Sequence, residues 1–319
     1  MRPTIVAEGL RKRFGDKTAL DGVDLTVGAG SVHGLLGPNG AGKTTAVRIL
    51  TTLLRLDDGH AEIAGIDVAR RPELVRAHIG LVGQHAAVDE VLSAQQNLEL
   101  FGRLYHLGAR AARARATELL AAFDLADTGK KAVKQFSGGM RRRLDIAASL
   151  ILRPRVLFLD EPTTGLDPRG RNEVWETIRS LVREGTTVLL TTQYLDEADQ
   201  LTDRISVVDH GRVVAEGTPT ALKAELGGDR IDVVLHDAAD LAVAGQVVAR
   251  VAGSAAETDH DRRQVSAAVT DPLAALADTV TALRAADLAV EDVAVRRPTL
   301  DEVFLHLTAT KTEKEVATA

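Results

Sequence analysis

The chain has 319 residues, with 39 Lys and Arg against 45 Asp and Glu, and no cysteine. At about 100–200 residues per domain the length suggests two domains, or one large domain with an appendage; the formal charge of −6 gives no general electrostatic reason to bind nucleic acid. Without thiols, disulfides, iron–sulfur clusters and cysteine nucleophiles are excluded, so chemistry falls to oxygen, nitrogen and hard metal ions. No stretch reaches the roughly 18 uninterrupted apolar residues of a membrane span. The start, Met1-Arg2-Pro3-Thr4-Ile5, lacks the basic region and apolar core of a signal peptide, so the expected location is the cytoplasm.

In chain order, Ile5–Arg13 and Leu25–Val27 read as short strands. The apolar strand Val32–Leu36 then stops at Gly37-Pro38-Asn39-Gly40-Ala41-Gly42, and Lys43–Leu54 reads as a helix. Further apolar strands at Ile79–Val82, Val156–Leu159, Val188–Leu190 and Ile205–Val208 alternate with segments of helical period. That order predicts an α/β nucleotide-binding fold, a mostly parallel sheet covered on both faces. Between Val91 and Lys134, Leu98, Phe101, Leu104 and Tyr105, then Leu119, Leu120 and Phe123, recur at three- and four-residue spacings, which predicts a helical insertion over about residues 85–150.

After Gly227-Gly228 the pattern predicts a second α+β domain. Strands at Ile231–Leu235, weakly at Val251–Ala256, at Gln264–Val269 and at Leu288–Val295 are interleaved with helices at Ala238–Arg250 and Pro272–Ala286. This βαββαβ order is ferredoxin-like. The predicted domains are thus 1–226 and 227–310, with a final helix Leu300–Leu307 carrying an apolar stripe of Val303, Phe304 and Leu307, and a charged, disordered tail over 311–319.

Gly37, Pro38, Asn39, Gly40, Ala41, Gly42, Lys43, Thr44 and Thr45 form a candidate phosphate-binding stretch, a glycine-rich loop between a strand and a helix with Lys and Thr at the helix start. Backbone N–H groups converge on an anion only where no Cβ intervenes, and the helix N-terminus adds partial positive charge. Lys43 is placed to reach the β- and γ-phosphates of ATP, and the Thr44 hydroxyl to ligate Mg²⁺. A second element, Val156-Leu157-Phe158-Leu159-Asp160-Glu161, ends a buried-type strand in two carboxylates. Asp160 is the candidate Mg²⁺ ligand and Glu161 the candidate base for the attacking water. A third, Phe136-Ser137-Gly138-Gly139-Met140, opens a helix and offers a hydroxyl and glycine amides as a second anion cradle.

With that third element the chain resembles the ATP-binding cassette family over roughly Ile5 to Gly217. The resemblance implies that Ser137, Gly138 and Gly139 of one subunit close on ATP held by the phosphate loop of another, so that a chain with one of each works as a head-to-tail homodimer. It further implies that Phe14 stacks on adenine, that Gln84 contacts Mg²⁺ and the attacking water, and that Asp167, in Gly165-Leu166-Asp167, orders the contact between subunits. Where the family usually carries a histidine this chain has Gln193, which can hydrogen-bond a γ-phosphate oxygen but cannot carry a proton's charge. Met140 replaces a usual glutamine, and slower turnover is expected.

Arg141-Arg142-Arg143 reads as a solvated helix face with one Arg packed inward. Within the family the chain is most similar to the drug-resistance branch, the ATPase subunits of daunorubicin-type exporters, through Thr191-Thr192-Gln193-Tyr194-Leu195-Asp196-Glu197-Ala198, Asp209-His210-Gly211-Arg212 and Arg297-Pro298-Thr299-Leu300-Asp301-Glu302-Val303-Phe304. This implies a peripheral subunit on the cytoplasmic face of the membrane that drives a separate transmembrane permease, docked near Gln84–Leu104, to export a hydrophobic drug. The alternatives are a cassette ATPase without a membrane partner, acting on ribosomes or DNA, and a transporter subunit moving another substrate such as a lipid. The first usually brings a second cassette or a long coiled-coil insertion, and neither is in this sequence.

Overall fold

The computed structural model describes residues 3–224 and 228–304. The chain divides into two compact units after Pro219. The first runs through strands β1 (Pro3–Phe14), β2 (Lys17–Gly28) and β3 (Val32–Leu36), helix α1 (Lys43–Leu50), strands β4 (Asp58–Ile63) and β5 (Ile66–Asp67), helix α2 (Pro72–Arg76) and strand β6 (Ile79–Val82). Helices α3 (Ala94–Leu104), α4 (Ala109–Ala122) and α5 (Gly138–Ser149) follow. Then come β7 (Val156–Asp160), α6 (Pro168–Arg183), β8 (Thr187–Thr192), α7 (Leu195–Leu201) and the hairpin β9 (Arg204–Asp209) and β10 (Arg212–Gly217).

A six-stranded sheet runs β10-β9-β3-β8-β7-β6, parallel except for the edge strand β10. A smaller antiparallel sheet, β2-β1-β4-β5, accompanies it. β7 shows why the run Val156–Leu159 is apolar at every position. Leu157 and Leu159 enter a core with α3, α4, α5 and α6, while Val156 and Phe158 enter a second core with α1 and the smaller sheet. A strand buried on both faces loses the alternation of a half-exposed one. Parallel order also gathers the carboxyl ends of β3, β7 and β8 on one side, where an open α/β sheet presents its ligand crevice.

The helix expected over Lys43–Leu54 stops at Leu50, and Thr52 turns the chain at φ 63°. Strands β4 and β10 and helix α2 were not expected. β4 buries only Ala61 and Ile63 behind a polar Asp-Gly-His start, so it carries no apolar run.

Helix α8 (Pro219–Ala224) lies at the division, and the second unit continues with β11 (Arg230–Leu235), α9 (Leu241–Ala252), β12 (Ala256–Asp259), β13 (Gln264–Ala268), α10 (Pro272–Ala285) and β14 (Val290–Arg296). The sheet is wholly antiparallel in the order β12-β13-β11-β14, the ferredoxin-like arrangement. The weak strand lies at Ala256–Asp259 rather than Val251–Ala256, because α9 continues to Ala252 and Gly253 closes it at φ 67°. Ile231, Val233, Val265 and Ala267 pack with Leu241, Val248 and Leu283. At the alternate positions Arg230, Asp232, Ser266 and Arg296 form a polar network, and Arg296 clasps Glu302 with two 2.9 Å bonds. Residues 300–304 are helical, but Leu300 and Val303 are already buried within the chain. The expected stripe is therefore only partly on the surface; Leu307 and the tail 311–319 lie outside the described residues. No described helix is long and apolar enough to cross a membrane.

Candidate active site

Three loops at the ends of β3, β6 and β7 build the site. After β3 the chain enters Gly37–Gly42, and α1 starts at Lys43. Gly42 sits at φ 112°, and a Cβ there would stand 2.6 Å from the Ala19 carbonyl oxygen; one on Gly37 would stand 2.2 Å from that of Val208. Both positions exclude a side chain, which lets the loop pack tightly beneath the start of the helix. No side chain caps α1, and its ladder begins with Ala46 N–H on the Gly42 carbonyl at 2.9 Å. The N–H groups ahead of that bond face the loop with the positive end of the helix dipole, an arrangement suited to phosphate. The Lys43 ammonium bends over the same loop and donates to the carbonyls of Gly37 (2.6 Å) and Pro38 (2.9 Å). Burial lowers its pKa from the usual lysine value, while Glu161 and Asp160 pull the other way.

At the end of β7, Asp160 is buried and Glu161 follows at φ 50°. Asp160 Oδ1 accepts from Thr191 of β8 at 2.5 Å and from Thr44 at 3.3 Å, which links acidic strand and phosphate loop through oxygen donors. Among the described residues no group of three His, Asp or Glu could hold a metal ion. A magnesium ion at Thr44 and Asp160 would fit a site completed by phosphate oxygens and water rather than an all-protein cage. Glu161 N–H is held on Thr191, by its carbonyl at 3.1 Å and its hydroxyl at 3.2 Å.

Phe14, Asn39, Gly40, Gly42, Lys43, Thr44, Thr45, Gln84 and Glu161 line one cleft of about 360 Å³. Phe14 is half exposed there, with the Lys12 ammonium 5.7 Å from its ring centre, so an aromatic face and a cation stand beside the phosphate loop. Gln193 follows β8 and does not line this cleft. Ser137, Gly138, Gly139 and Asp167 line a second cavity that shares no residue with the first, while a third, lined by Gln84, Glu161, Gly138 and Leu166 among others, draws on both. Ser137 caps α5 by accepting Met140 N–H at 3.2 Å; Asp167 caps α6 by accepting Gly170 N–H at 2.7 Å. A Cβ on Gly139 would stand 3.2 Å from Gly170 Cα, so the glycines also allow α5 and α6 to cross closely. Met140 packs against the helical core, an apolar return for the polar contact of glutamine.

Of the three arginines, Arg142 is the one packed inward, as expected, and Arg141 and Arg143 are partly exposed and paired. Arg141 pairs with Glu90 at 2.7 Å, and Arg143 donates to the Phe123 carbonyl at 3.0 Å. Arg142 turns inward to the ends of β6 and β7. Sequence reasoning did not find Thr191, Thr163 or Glu197. Glu197 is fully buried and accepts from Thr163 at 2.8 Å and Trp175 at 3.2 Å; burial pushes its carboxyl up. The available signal was a threonine pair after the run Val188–Leu190 and another after Asp160-Glu161-Pro162, polar residues that burial obliges to find a local partner.

A glycine loop on a helix start, joined to a buried carboxylate at a strand end, is the geometry of a phosphate-loop nucleotide-binding protein, the class of many nucleotide hydrolases and kinases. The chain matches the family described as "ABC transporter" over residues 20–164 and "ATP-binding protein DrrA1-3-like, C-terminal domain" over residues 217–308. It is 67% identical to the daunorubicin resistance ATP-binding protein DrrA3 of Streptomyces coeruleorubidus, covering 95% of both chains. With the daunorubicin/doxorubicin resistance ATP-binding protein DrrA of Streptomyces peucetius it shares 51% identity over 95% of this chain and 92% of that one. Among solved structures, cbiO1 from Clostridium perfringens, part of the ABC transporter complex cbiONQ, superposes with a TM-score of 0.66 at 27% identity, over 71% of this chain and 92% of that one. The chain belongs to the ATP-binding cassette family, as an ATP-binding, ATP-hydrolysing transporter subunit of the DrrA drug-resistance type.

Proposed function

We propose that two copies of this chain, head to tail, enclose two ATP molecules and drive a separate membrane subunit to export a hydrophobic drug from the cytoplasmic face of the membrane. The observation that carries the dimer is that the phosphate-loop residues 39–45 and Ser137 line no common cavity within one chain. A second chain that brings its own Ser137-Gly138-Gly139 loop would complete the anion cradle around one nucleotide. The drug class rests on the relatives named for daunorubicin and doxorubicin resistance.

In this reading the amides of Gly37–Gly42 and the Lys43 ammonium hold the β- and γ-phosphates, Thr45 lines the same cleft, and Phe14 stacks on adenine. Thr44 and Asp160 would hold magnesium, which would supply positive charge against the phosphates. Gln84 orients water, and Glu161 accepts its proton as the oxygen attacks the γ-phosphorus and the bond from that phosphorus to the β,γ-bridging oxygen breaks, giving phosphate and ADP. The partner's γ-phosphate end meets Ser137, Gly138 and Gly139, with Asp167 ordering the contact. Gln193 adds a hydrogen bond to a γ-phosphate oxygen, without proton transfer.

The test is Glu161→Gln in the full chain. It is expected to lower kcat about a hundredfold or more while ATP still binds, and to accumulate as an ATP-bound dimer in size exclusion. Hydrolysis at the wild-type rate would remove Glu161 from the role of base. The export step is checked by co-expression with a candidate membrane subunit and measurement of anthracycline accumulation in cells; unchanged accumulation overturns the drug assignment.

A further inference from the structure

Arg142 lies on α5, five residues beyond Ser137, and its guanidinium donates to three backbone carbonyls on two other segments. Nε donates to Pro162 at 2.8 Å, Nη2 to Asp160 at 3.3 Å and Nη1 to Gly83 at 2.7 Å. Asp160 and Pro162 are the residues on either side of Glu161, and Gly83 immediately precedes Gln84. One planar fork therefore fixes both shoulders of one candidate catalytic residue and the approach to the other. On the next turn of α5, Asp145 Oδ2 stands 3.5 Å from Arg142 Nη1, and Asp145 Oδ1 accepts Ala87 N–H at 2.9 Å, just beyond Gln84.

This pair is 7% and 4% exposed. Burial lowers the Arg142 pKa and raises that of Asp145, each away from the charged form. Apolar residues of like volume would often suit stability as well or better. What they could not do is hold Glu161, a non-glycine residue at φ 50°. Its N–H rests on Thr191, and the carbonyls on both sides rest on Arg142. A backbone in that sparsely populated region persists only where its surroundings over-determine it.

We infer that Arg142 is a positioning residue for hydrolysis, setting Glu161 and Gln84 in register with the phosphate loop, and that Asp145 holds its guanidinium in place. The inference rests on the reading of Glu161 as the base. The guanidinium is spent on backbone carbonyls of residues other than Lys43 and the glycine loop, so its removal displaces the attacking water's partners and leaves the phosphate cradle in place. Lysine keeps the charge but presents a point rather than a fork and reaches fewer of the three carbonyls.

The experiment compares Arg142→Lys, Arg142→Met, Asp145→Asn, Glu161→Gln and the double variant Glu161→Gln/Arg142→Lys in the full chain. It measures kcat and KM for ATP hydrolysis and Kd for a fluorescent ATP analogue. Arg142→Lys should lower kcat about ten- to hundredfold, as expected for misplacement of a reacting group by about an ångström, with KM and Kd within about twofold of wild type. Asp145→Asn should lower kcat in the same direction by less. In the Glu161→Gln background Arg142→Lys should lower kcat by less than it does in the wild-type chain, because the part of its effect that runs through Glu161 is already lost. If Arg142→Lys keeps the wild-type kcat while Glu161→Gln is inactive, the inference fails and the base stands. Parallel loss of kcat and nucleotide affinity makes Arg142 merely structural and overturns it too. Should Arg142→Met fail to fold, the lysine and Asp145→Asn variants decide the matter. A Glu161→Gln chain that hydrolyses at the wild-type rate overturns the base itself, and the inference with it.

Discussion

His33 shows how a single buried side chain of the phosphate-loop strand makes the protein sensitive to pH. Its ring nitrogen Nε2 stands 2.8 Å from the Ser206 hydroxyl on β9, and burial pushes its pKa down to about 4 from an ordinary 6.5. Below pH 6.5 the unfolded chain takes up a proton that the folded chain refuses. Stability should therefore fall as pH drops from 6.5 towards 4, by up to about 3 kcal/mol, and level off below. Trp175, the only tryptophan, reports the first unit. Urea midpoints followed by its fluorescence at pH 7 and pH 5 should separate in the wild type and converge in His33→Gln. A midpoint that does not move between these pH values in the wild type would show that the ring is not held neutral. Arg142 marks the limit of residue-level reading. Three consecutive arginines announce that one turns inward, but which one depends on where β6 and β7 end in space, information that no local pattern carries.

At the scale of elements, the strands with continuous apolar runs were legible, because burial on both faces gives β7 and β8 the runs Val156–Leu159 and Val188–Leu190 and leaves β3 only His33 as a polar residue. β4 and β10 were not legible, because they alternate polar residues and show only short apolar stretches. The phosphate loop, the acidic strand end and the Ser-Gly-Gly helix start were legible as local chemistry, whereas which of them share a cavity, as Glu161 and Gly138 do and Lys43 and Ser137 do not, is a property of the folded sheet. The segment after β14 combines both cases. Its sequence suggested an apolar docking stripe, yet the structure spends Leu300 and Val303 on burial and clasps Glu302 to Arg296 at the sheet. Arg296 holds the Glu302 carboxyl down at about 2, against an ordinary 4.5. That contribution is present above pH 4.5 and is lost as pH falls towards 2. Because the pair is partly exposed, Glu302→Gln should destabilise the second unit by only about 1 kcal/mol at pH 7. The thermal transitions of variant and wild type should approach each other as the buffer is taken from pH 5 to pH 3. A gap that persists at pH 3 would assign the loss to the packing of residues 300–304 rather than to charge.

For the whole molecule the decisive question is whether one nucleotide is served by two chains. If Lys43 and Ser137 act on the same ATP from different subunits, each of two inactive variants carries what the other lacks. Lys43→Ala removes the phosphate-loop cation and leaves the Ser137 loop intact; Ser137→Arg blocks that loop and leaves the cradle. A dimer of one with the other has one composite site with both halves intact and one with both broken. With random pairing at equal concentrations, half the dimers are mixed and each has one of two sites, so the mixture should recover about a quarter of wild-type ATPase activity if the sites act independently. Activity per chain should also fall on dilution, since association is required before hydrolysis. Activity no greater than the sum of the two variants alone, together with a specific activity independent of concentration, would place both anion cradles on ATP within one chain. Against that outcome, no cavity within one chain is lined by both the phosphate-loop residues 39–45 and Ser137, and the Ser137 hydroxyl is committed to the start of α5.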